Sequence, residues 1–121
     1  MKKEMTLKEL QNFQMEFDSK YFKKYWDKNH DPDWKIDFLK DMIIALTGEV
    51  GEFANIIKKI SRDRKTLGQE VSEEKLSELK NELVDCFIYL IILSNIIEMD
   101  IEDQYLKKTK FNEKRFQKYL K

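Results

Sequence analysis

ALTGEVGEF, residues 45–53, is the stretch on which the interpretation of the whole chain depends. Leu46 and Val50 are one helical turn apart, which predicts the buried stripe of a helix. Glu49 and Glu52 stand three residues apart beside that stripe, about 60° from each other around the helix axis. One such pair is weak evidence in a chain that is 38% charged, so its significance depends on a second helix that repeats it.

A second stretch, NELVDCFIYL at residues 81–90, repeats the arrangement. Glu82 and Asp85 are again three apart, beside a stripe of leucines and Cys86. If the two stripes pack together, the four carboxylates converge at one edge of the helix pair. Each nearby pair would then repel by up to about 4 kcal/mol at an effective dielectric constant near 20. Lysines or divalent cations must offset that repulsion, and oxygen ligands without His or Cys favour Mg²⁺, with Mn²⁺ as a substitute, over Zn²⁺.

The pattern along the chain predicts an all-α protein with four helices. The chain has only three Gly and one Pro and no β-rich alternating run. Thr6 and Glu9 form a capping-box pattern at the first helix, and Ser72 and Asp100 suit the N-caps of the third and fourth. The predicted helices span residues 6–28, 32–62, 73–98 and 101–120. The polar segment 61–72, which contains Gly68, is predicted to be the one substantial loop.

Length and charge limit the classes of protein to which the chain can belong. Its 121 residues fit a single domain, residues 1–121. Lys plus Arg and Asp plus Glu number 23 each, which disfavours binding to a nucleic-acid polymer or an anionic membrane. The single Cys86 excludes an internal disulfide, no signal-peptide pattern begins the chain, and the longest apolar run is too short to span a bilayer. We therefore expect a cytoplasmic protein.

The third predicted helix is apolar on nearly every side after its first turns. A chain this small supplies too few neighbours to cover such a helix. We therefore expect a homo-oligomer, a dimer or a tetramer, with this helix near the interface. The alternative is a central helix in a monomeric bundle.

Three motifs together resemble a known family. ALTGEVGEF, then ELVDCFIYL and then KTKFNEKRF are similar to the MazG-like all-α NTP pyrophosphohydrolases, in particular the dCTP-pyrophosphatase-like branch. The similarity covers roughly residues 35–116, and three motifs in order are more specific than any one alone. Many relatives have a Glu where Gly48 stands; Gly is typical of the dCTP-pyrophosphatase-like branch.

The resemblance implies roles for particular residues. The four carboxylates would be catalytic residues and Mg²⁺ ligands: Glu49, Glu52, Glu82 and Asp85. The later segment would contact phosphates, and two aromatic residues would line the nucleotide pocket. These substrate-binding residues are Lys108, Asn112 and Arg115 for the phosphates, with Tyr89 and Trp34 for the nucleoside. Solvated charge on one helical face would explain the phosphate-contacting segment almost as well.

The family's chemistry implies a Mg²⁺-dependent enzyme that cleaves a (d)NTP to a (d)NMP and pyrophosphate. We expect a pool-cleaning enzyme for a pyrimidine deoxynucleotide. The alternatives are a phosphoribosyl-ATP pyrophosphatase-like enzyme and a non-catalytic helical interaction module that binds a metal.

Most of the aromatic residues between Phe13 and Trp34 are expected in the core, and His30 in a solvent-exposed turn.

Overall fold

The computed structural model describes residues 4–26 and 33–120, and within these ranges the chain forms four α-helices and no strand. α1 spans Leu7–Tyr21, α2 Trp34–Leu67, α3 Glu73–Ile96 and α4 Ile101–Arg115. Short 3₁₀ turns at Lys23–Trp26 and Gln117–Tyr119 follow α1 and α4. The prediction of an all-α, four-helix fold is confirmed. His30 lies outside the described residues.

Three of the helix starts have the predicted caps. The Thr6 hydroxyl accepts a hydrogen bond from the Glu9 backbone N–H at 3.1 Å, and the Glu9 carboxylate accepts one from the Thr6 N–H at 3.2 Å. Ser72 and Asp100 each accept a bond from the backbone N–H three residues later. These bonds satisfy amide groups that a helix cannot pair internally, so they fix where α1, α3 and α4 begin.

The predicted helix ends were less accurate. α1 stops at Tyr21 rather than residue 28, because Phe22 leaves the helical conformation within a run of aromatic residues that are poor helix formers. α2 continues through most of the predicted loop to Leu67, since its charged residues favour helix. Gly68, with φ of 66°, then ends it. α4 ends at Arg115, five residues before the predicted limit.

α2 and α3 form the helical hairpin that contains most of the buried surface, and α1 packs across α3. The core of the hairpin consists of Phe38 from α2 with Ile92 and Ile96 from α3. Partly buried apolar side chains surround this core: Trp26, Trp34, Leu39, Met42, Ile88 and Tyr89. No helix in the described ranges is both long enough and apolar enough to cross a lipid bilayer.

Gln11 fixes α1 to the turn between α3 and α4. Its side-chain amide is buried and donates to the Met99 carbonyl at 2.8 Å and to Asn95 Oδ1 at 3.2 Å. Gln11 Oε1 accepts from the Ile101 N–H at 2.9 Å, and Asn95 Nδ2 donates back to the Gln11 carbonyl. A buried amide with all its groups paired is directional, so this network sets where α1 lies along α3.

Since the fully buried positions of α1 are polar, Gln11 and Asp18, its aromatic residues lie elsewhere. Phe13, Tyr21 and Phe22 are at least half exposed in the single chain. The prediction that most N-terminal aromatics belong to the core was therefore wrong for α1. In contrast, Cys86 is buried as a small apolar side chain, as expected.

Glu98 ends α3 in a conformation that normally favours glycine. Its φ is 56°, and the bonds from the Glu98 N–H to the Asn95 carbonyl and from the Met99 N–H to the Ser94 carbonyl form a Schellman cap. We predict that Glu98→Gly stabilises the protein by about 0.5–1 kcal/mol, because a Cβ is disfavoured in this region. Chemical denaturation measures the change.

Glu98→Ala is the matched control for that variant. It also removes the exposed ion pair with Lys35, whose closest atoms are 3.9 Å apart, but it keeps the Cβ. The glycine variant should exceed the alanine variant in stability. Equal stability of the two would contradict the argument from backbone strain.

Candidate functional site

The α2–α3 hairpin brings carboxylates from both helices to one place. Oxygen atoms of Glu49, Glu82 and Asp85 all lie within 4.8 Å of one another. Glu49 is on α2 and the other two are on α3, and all three side chains are half-buried. The predicted convergence is therefore present for these three residues, although Val50, Leu83 and Leu90, which were predicted to pack between the helices, are about half exposed in the single chain.

Glu52, the fourth predicted residue, lies at the rim of this group. It is solvent-exposed and is not one of the three residues whose oxygens converge. Its charge nevertheless acts on Glu82, whose pKa it helps to raise. We call the group of Glu49, Glu82 and Asp85 the carboxylate cluster. Glu52 is a neighbour of this cluster and not a member of it.

The crowding of the carboxylates changes the pKa of Glu82. The pKa of Glu82 is raised to about 7, first by a hydrogen bond with Glu49, then by burial, and then by the charge of Glu52. Two carboxyl groups share a hydrogen bond only when one of them holds a proton. Glu82 Oε2 is also buried and has no donor among the described residues. This position is therefore suited to a positively charged group.

A divalent cation suits the carboxylate cluster. The donors are oxygens alone, which is the ligand chemistry of Mg²⁺ and Mn²⁺ rather than Zn²⁺. The unpartnered Glu82 Oε2 offers a buried oxygen, and a cation would take the place of the shared proton. Within the described ranges, this is the one group of three or more such side chains close enough to hold a metal ion.

A cavity of about 570 Å³ opens beside the carboxylate cluster. This volume falls within the range of small-molecule sites. Glu49 and Asp85 lie in its wall together with Tyr89, whose pKa is raised by burial and by those two carboxylates. The other lining residues are mainly apolar and come from α1, the segment after it, α2 and α3: Phe13, Gln14, Phe17, Asp18, Phe22, Phe38, Met42, Ile88 and Ile92.

The remaining predicted substrate-binding residues lie elsewhere in the single chain. Trp34 packs on Phe38, with ring centroids 6.4 Å apart, and so stands behind the cavity wall. Lys108, Asn112 and Arg115 lie on α4, which packs mainly on α1. None of the cavity-lining residues in the described ranges comes from α4.

Sequence reasoning missed the polar residues that α1 contributes to the site. Gln14 and Asp18 are one helical turn apart and line the cavity together. Asp18 is 1% exposed; its Oδ1 accepts a hydrogen bond from Gln14 Nε2 at 2.9 Å, while its Oδ2 is buried without a partner among the described residues. Burial raises the pKa of Asp18, and the Gln14 bond opposes that shift. The spacing was visible in the sequence, but nothing there distinguished it from other polar pairs.

Comparison with known proteins gives a consistent family. Residues 39–118 match the sequence model of the MazG nucleotide pyrophosphohydrolase domain. The chain is similar to dCTP pyrophosphatase 1 from Bos taurus and from Homo sapiens, with 28% identity over 117 residues to each. The alignment covers 97% of this chain but 63% of the bovine protein and 62% of the human one. The chain thus spans a little under two thirds of the length of these relatives.

The raised pKa of Glu82 predicts how stability depends on pH without metal. Between pH of about 4.5 and 7 the native state holds a proton that the unfolded state has lost, so stability falls as pH rises through this window. Thermal unfolding in the presence of a chelator should show this fall. Glu82→Gln should reduce the slope, leaving the smaller contribution of Asp18, which has the same sign.

Glu70→Gln is the control, because it removes the same charge from the exposed connection between α2 and α3. Its pH profile should follow that of the wild type. If the Glu82→Gln profile also followed the wild type, the crowding of Glu82 by its neighbours would be refuted.

Proposed function

Because this chain belongs to the MazG nucleotide pyrophosphohydrolase family, we propose that it hydrolyses a nucleoside triphosphate to the monophosphate and pyrophosphate. The observation that carries the proposal is the carboxylate cluster beside a cavity of nucleotide size, with Glu49 and Asp85 in the cavity wall. Acidic oxygens at one end and an apolar wall at the other match a substrate with a charged triphosphate and a flat base.

Mg²⁺ is the proposed cofactor, with Mn²⁺ as a substitute. Glu49, Glu82 and Asp85 would hold it, and Glu52 would complete the set at the rim. When bound, the ion would offset the negative charge of the triphosphate and favour deprotonation of water. Water attacks the α-phosphorus, the bond to the bridging oxygen breaks, and pyrophosphate leaves. We assign to Glu52, the exposed carboxylate of the four, the orientation of the attacking water and the acceptance of its proton, a role for which Glu49 is the alternative.

The proposed substrate is a pyrimidine deoxynucleotide. Its support is the similarity to proteins named dCTP pyrophosphatase 1 and an apolar cavity rich in aromatic rings. Tyr89, one turn after Asp85, would lie beside the nucleoside. Trp34 remains a proposed contact that would require a rearrangement or a second copy, since it stands behind Phe38 in the single chain.

A homo-oligomer is part of the proposal because the hairpin leaves two apolar stripes uncovered. Each stripe repeats every seven residues and is exposed along its whole length. The stripe on α2 is Ile36, Ile43, Val50 and Ile57, and the stripe on α3 and its C-cap is Leu76, Leu83, Leu90 and Ile97. Seven-residue repeats of β-branched residues on one helix and mainly Leu on the other favour packing against further helices.

The exposed area supports the same conclusion. The chain exposes 10138 Å², whereas a compact monomer of 14.7 kDa exposes about 6,900 Å². The difference exceeds the roughly 800 Å² that one partner contributes to a standard interface. A second copy would cover the hairpin, and its α4 is the proposed source of the phosphate-contacting side chains, Lys108, Asn112 and Arg115.

Incubation with Mg²⁺ and a panel of NTPs and dNTPs tests the proposed reaction. We predict monophosphate and pyrophosphate as products, with loss of turnover in a chelator. Glu49→Gln and Asp85→Asn should each reduce kcat/KM at least about a hundredfold, because each removes a ligand of the metal that offsets the triphosphate charge. Glu70→Gln should leave turnover unchanged.

Other outcomes of this experiment identify the alternatives. Turnover of phosphoribosyl-ATP but of no free nucleotide would assign the related pyrophosphatase function. Metal binding without any turnover would favour a non-catalytic module. Diphosphate and phosphate as products would contradict the proposed site of attack.

Light scattering after gel filtration tests the oligomer. We predict a mass of at least twice 14.7 kDa for the wild type. Ile43→Lys and Leu90→Lys should each lower that mass, because each places a charge in an apolar stripe of the hairpin. Leu120→Lys, which changes an exposed apolar residue outside the hairpin, is the control. A monomeric wild type would contradict the proposal.

A further inference from the structure

Gln14 and Asp18 form a polar pair in the wall that α1 contributes to the cavity. The spacing of four residues places both side chains on the same face of the helix. The other residues that line the cavity from this part of the chain are aromatic: Phe13, Phe17 and Phe22. A ligand in the cavity would thus meet two polar groups within an otherwise apolar wall.

Asp18 has an acceptor that lacks a donor. Its side chain is fully buried, and the described part of the chain supplies one hydrogen bond, to Oδ1. A buried carboxylate oxygen without a donor is unfavourable, and such groups in native proteins commonly have a functional explanation. Since Asp18 lines the cavity, a bound molecule that moves the surrounding side chains aside is the natural source of the missing donor.

The hydrogen bond within the pair determines what each group offers to a ligand. A carboxylate accepts only, so Gln14 must turn its amide nitrogen towards Asp18 Oδ1. The second N–H of Gln14 Nε2 remains as a donor, and Asp18 Oδ2 remains as an acceptor. The pair therefore presents one donor next to one acceptor.

We propose, on the basis of the proposed function, that Gln14 and Asp18 select the substrate by the edge of its base. They select an edge with an amino group beside a ring-nitrogen acceptor, as in cytosine and adenine. The amino group donates to Asp18 Oδ2, and the ring nitrogen accepts from Gln14 Nε2. Uracil, thymine and hypoxanthine have a carbonyl beside a ring N–H, which is the opposite order.

The carboxylate cluster makes this selection effective. Glu49 and Asp85 lie in the α2 and α3 walls of the cavity, whereas Gln14 and Asp18 lie in the α1 wall. A triphosphate held at the carboxylate cluster would keep its base within the cavity that Gln14 and Asp18 line. A base with a carbonyl beside a ring N–H would place its carbonyl oxygen against the buried carboxylate. Sites in which the wrong substrate leaves buried polar groups unpaired discriminate strongly.

Asp18→Asn provides the test, because it keeps the shape and the acceptor for Gln14 but replaces Oδ2 by an amide N–H. We measure kcat/KM for two pairs of substrates that differ in this edge, dCTP with dUTP and dATP with dITP. Within the pair that the wild type hydrolyses, its kcat/KM should be at least about tenfold higher for the substrate with the amino group. Asp18→Asn should lower that ratio at least about tenfold.

Two further variants separate selection from a structural role. Glu16→Gln removes the same charge from an exposed position of α1 and should leave the ratios unchanged. Gln14→Met keeps the length of the side chain but removes the donor, so it should reduce the ratio even if Asp18→Asn does not fold. An equal loss for both members of a pair in a folded Asp18→Asn or Gln14→Met variant would overturn the inference.

Binding measurements distinguish failure of this inference from failure of the proposed function. Calorimetry with Mg²⁺ and α,β-imido analogues of dCTP, dUTP, dATP and dITP needs no turnover. Turnover with ratios that the variants do not change would refute the selection but leave the pyrophosphohydrolase standing. A binding preference that Asp18→Asn removes in a protein without turnover would support the selection and refute the enzyme. Equal binding of both members of each pair by the wild type would overturn the inference.

Discussion

The close approach of Glu49, Glu82 and Asp85 is the constraint on which the site depends. α2 and α3 can form the observed hairpin only if these three half-buried carboxylates meet. Without a cation, the cluster must retain a proton, as the raised pKa of Glu82 indicates. Crowding of like charges that opposes stability is characteristic of sites that bind a positive group. The crowding of carboxylates that opposes the stability of the fold is therefore also the feature that suits the site to a positive group.

A separate interaction sets the position of α1, which supplies part of the cavity wall. Gln11 pairs with the turn between α3 and α4, so the N-terminal half of α1 is fixed by hydrogen bonds rather than by its aromatic residues. Those aromatic residues are then free to line a cavity instead of filling a core. The hairpin supplies the carboxylates of the cavity wall, and α1, which Gln11 holds in place, supplies aromatic side chains to another part of that wall.

The sequence predicted those features that depend on local spacing. The caps at Thr6, Ser72 and Asp100 and the four-helix, all-α fold followed from rules that need only neighbouring residues. The meeting of three carboxylates was also predicted from the three-residue spacing on both helices, although Val50, Leu83 and Leu90 of the predicted stripes are about half exposed in the single chain. The end of α1 and the length of α2 were wrong, since helix-forming tendency at a boundary competes with packing that the sequence does not display. The role of Gln11 could not be predicted, because it depends on hydrogen bonds with residues 84 to 90 positions away. The role of Asp18 depends on a cavity whose wall combines α1 with residues of α2 and α3.

The division between hairpin and α1 bears on what similarity to relatives can establish. The family match begins at residue 39, so it includes the carboxylate cluster and excludes α1. Chemistry that requires converging carboxylates limits change in the hairpin, because losing one ligand disables the cluster. The face of α1 towards the cavity has no such limit, since Gln11 anchors the helix from a different position. Side chains such as Gln14 and Asp18 can then differ among relatives without loss of the fold. Similarity over the hairpin is therefore stronger evidence for the type of bond cleaved than for the base recognised.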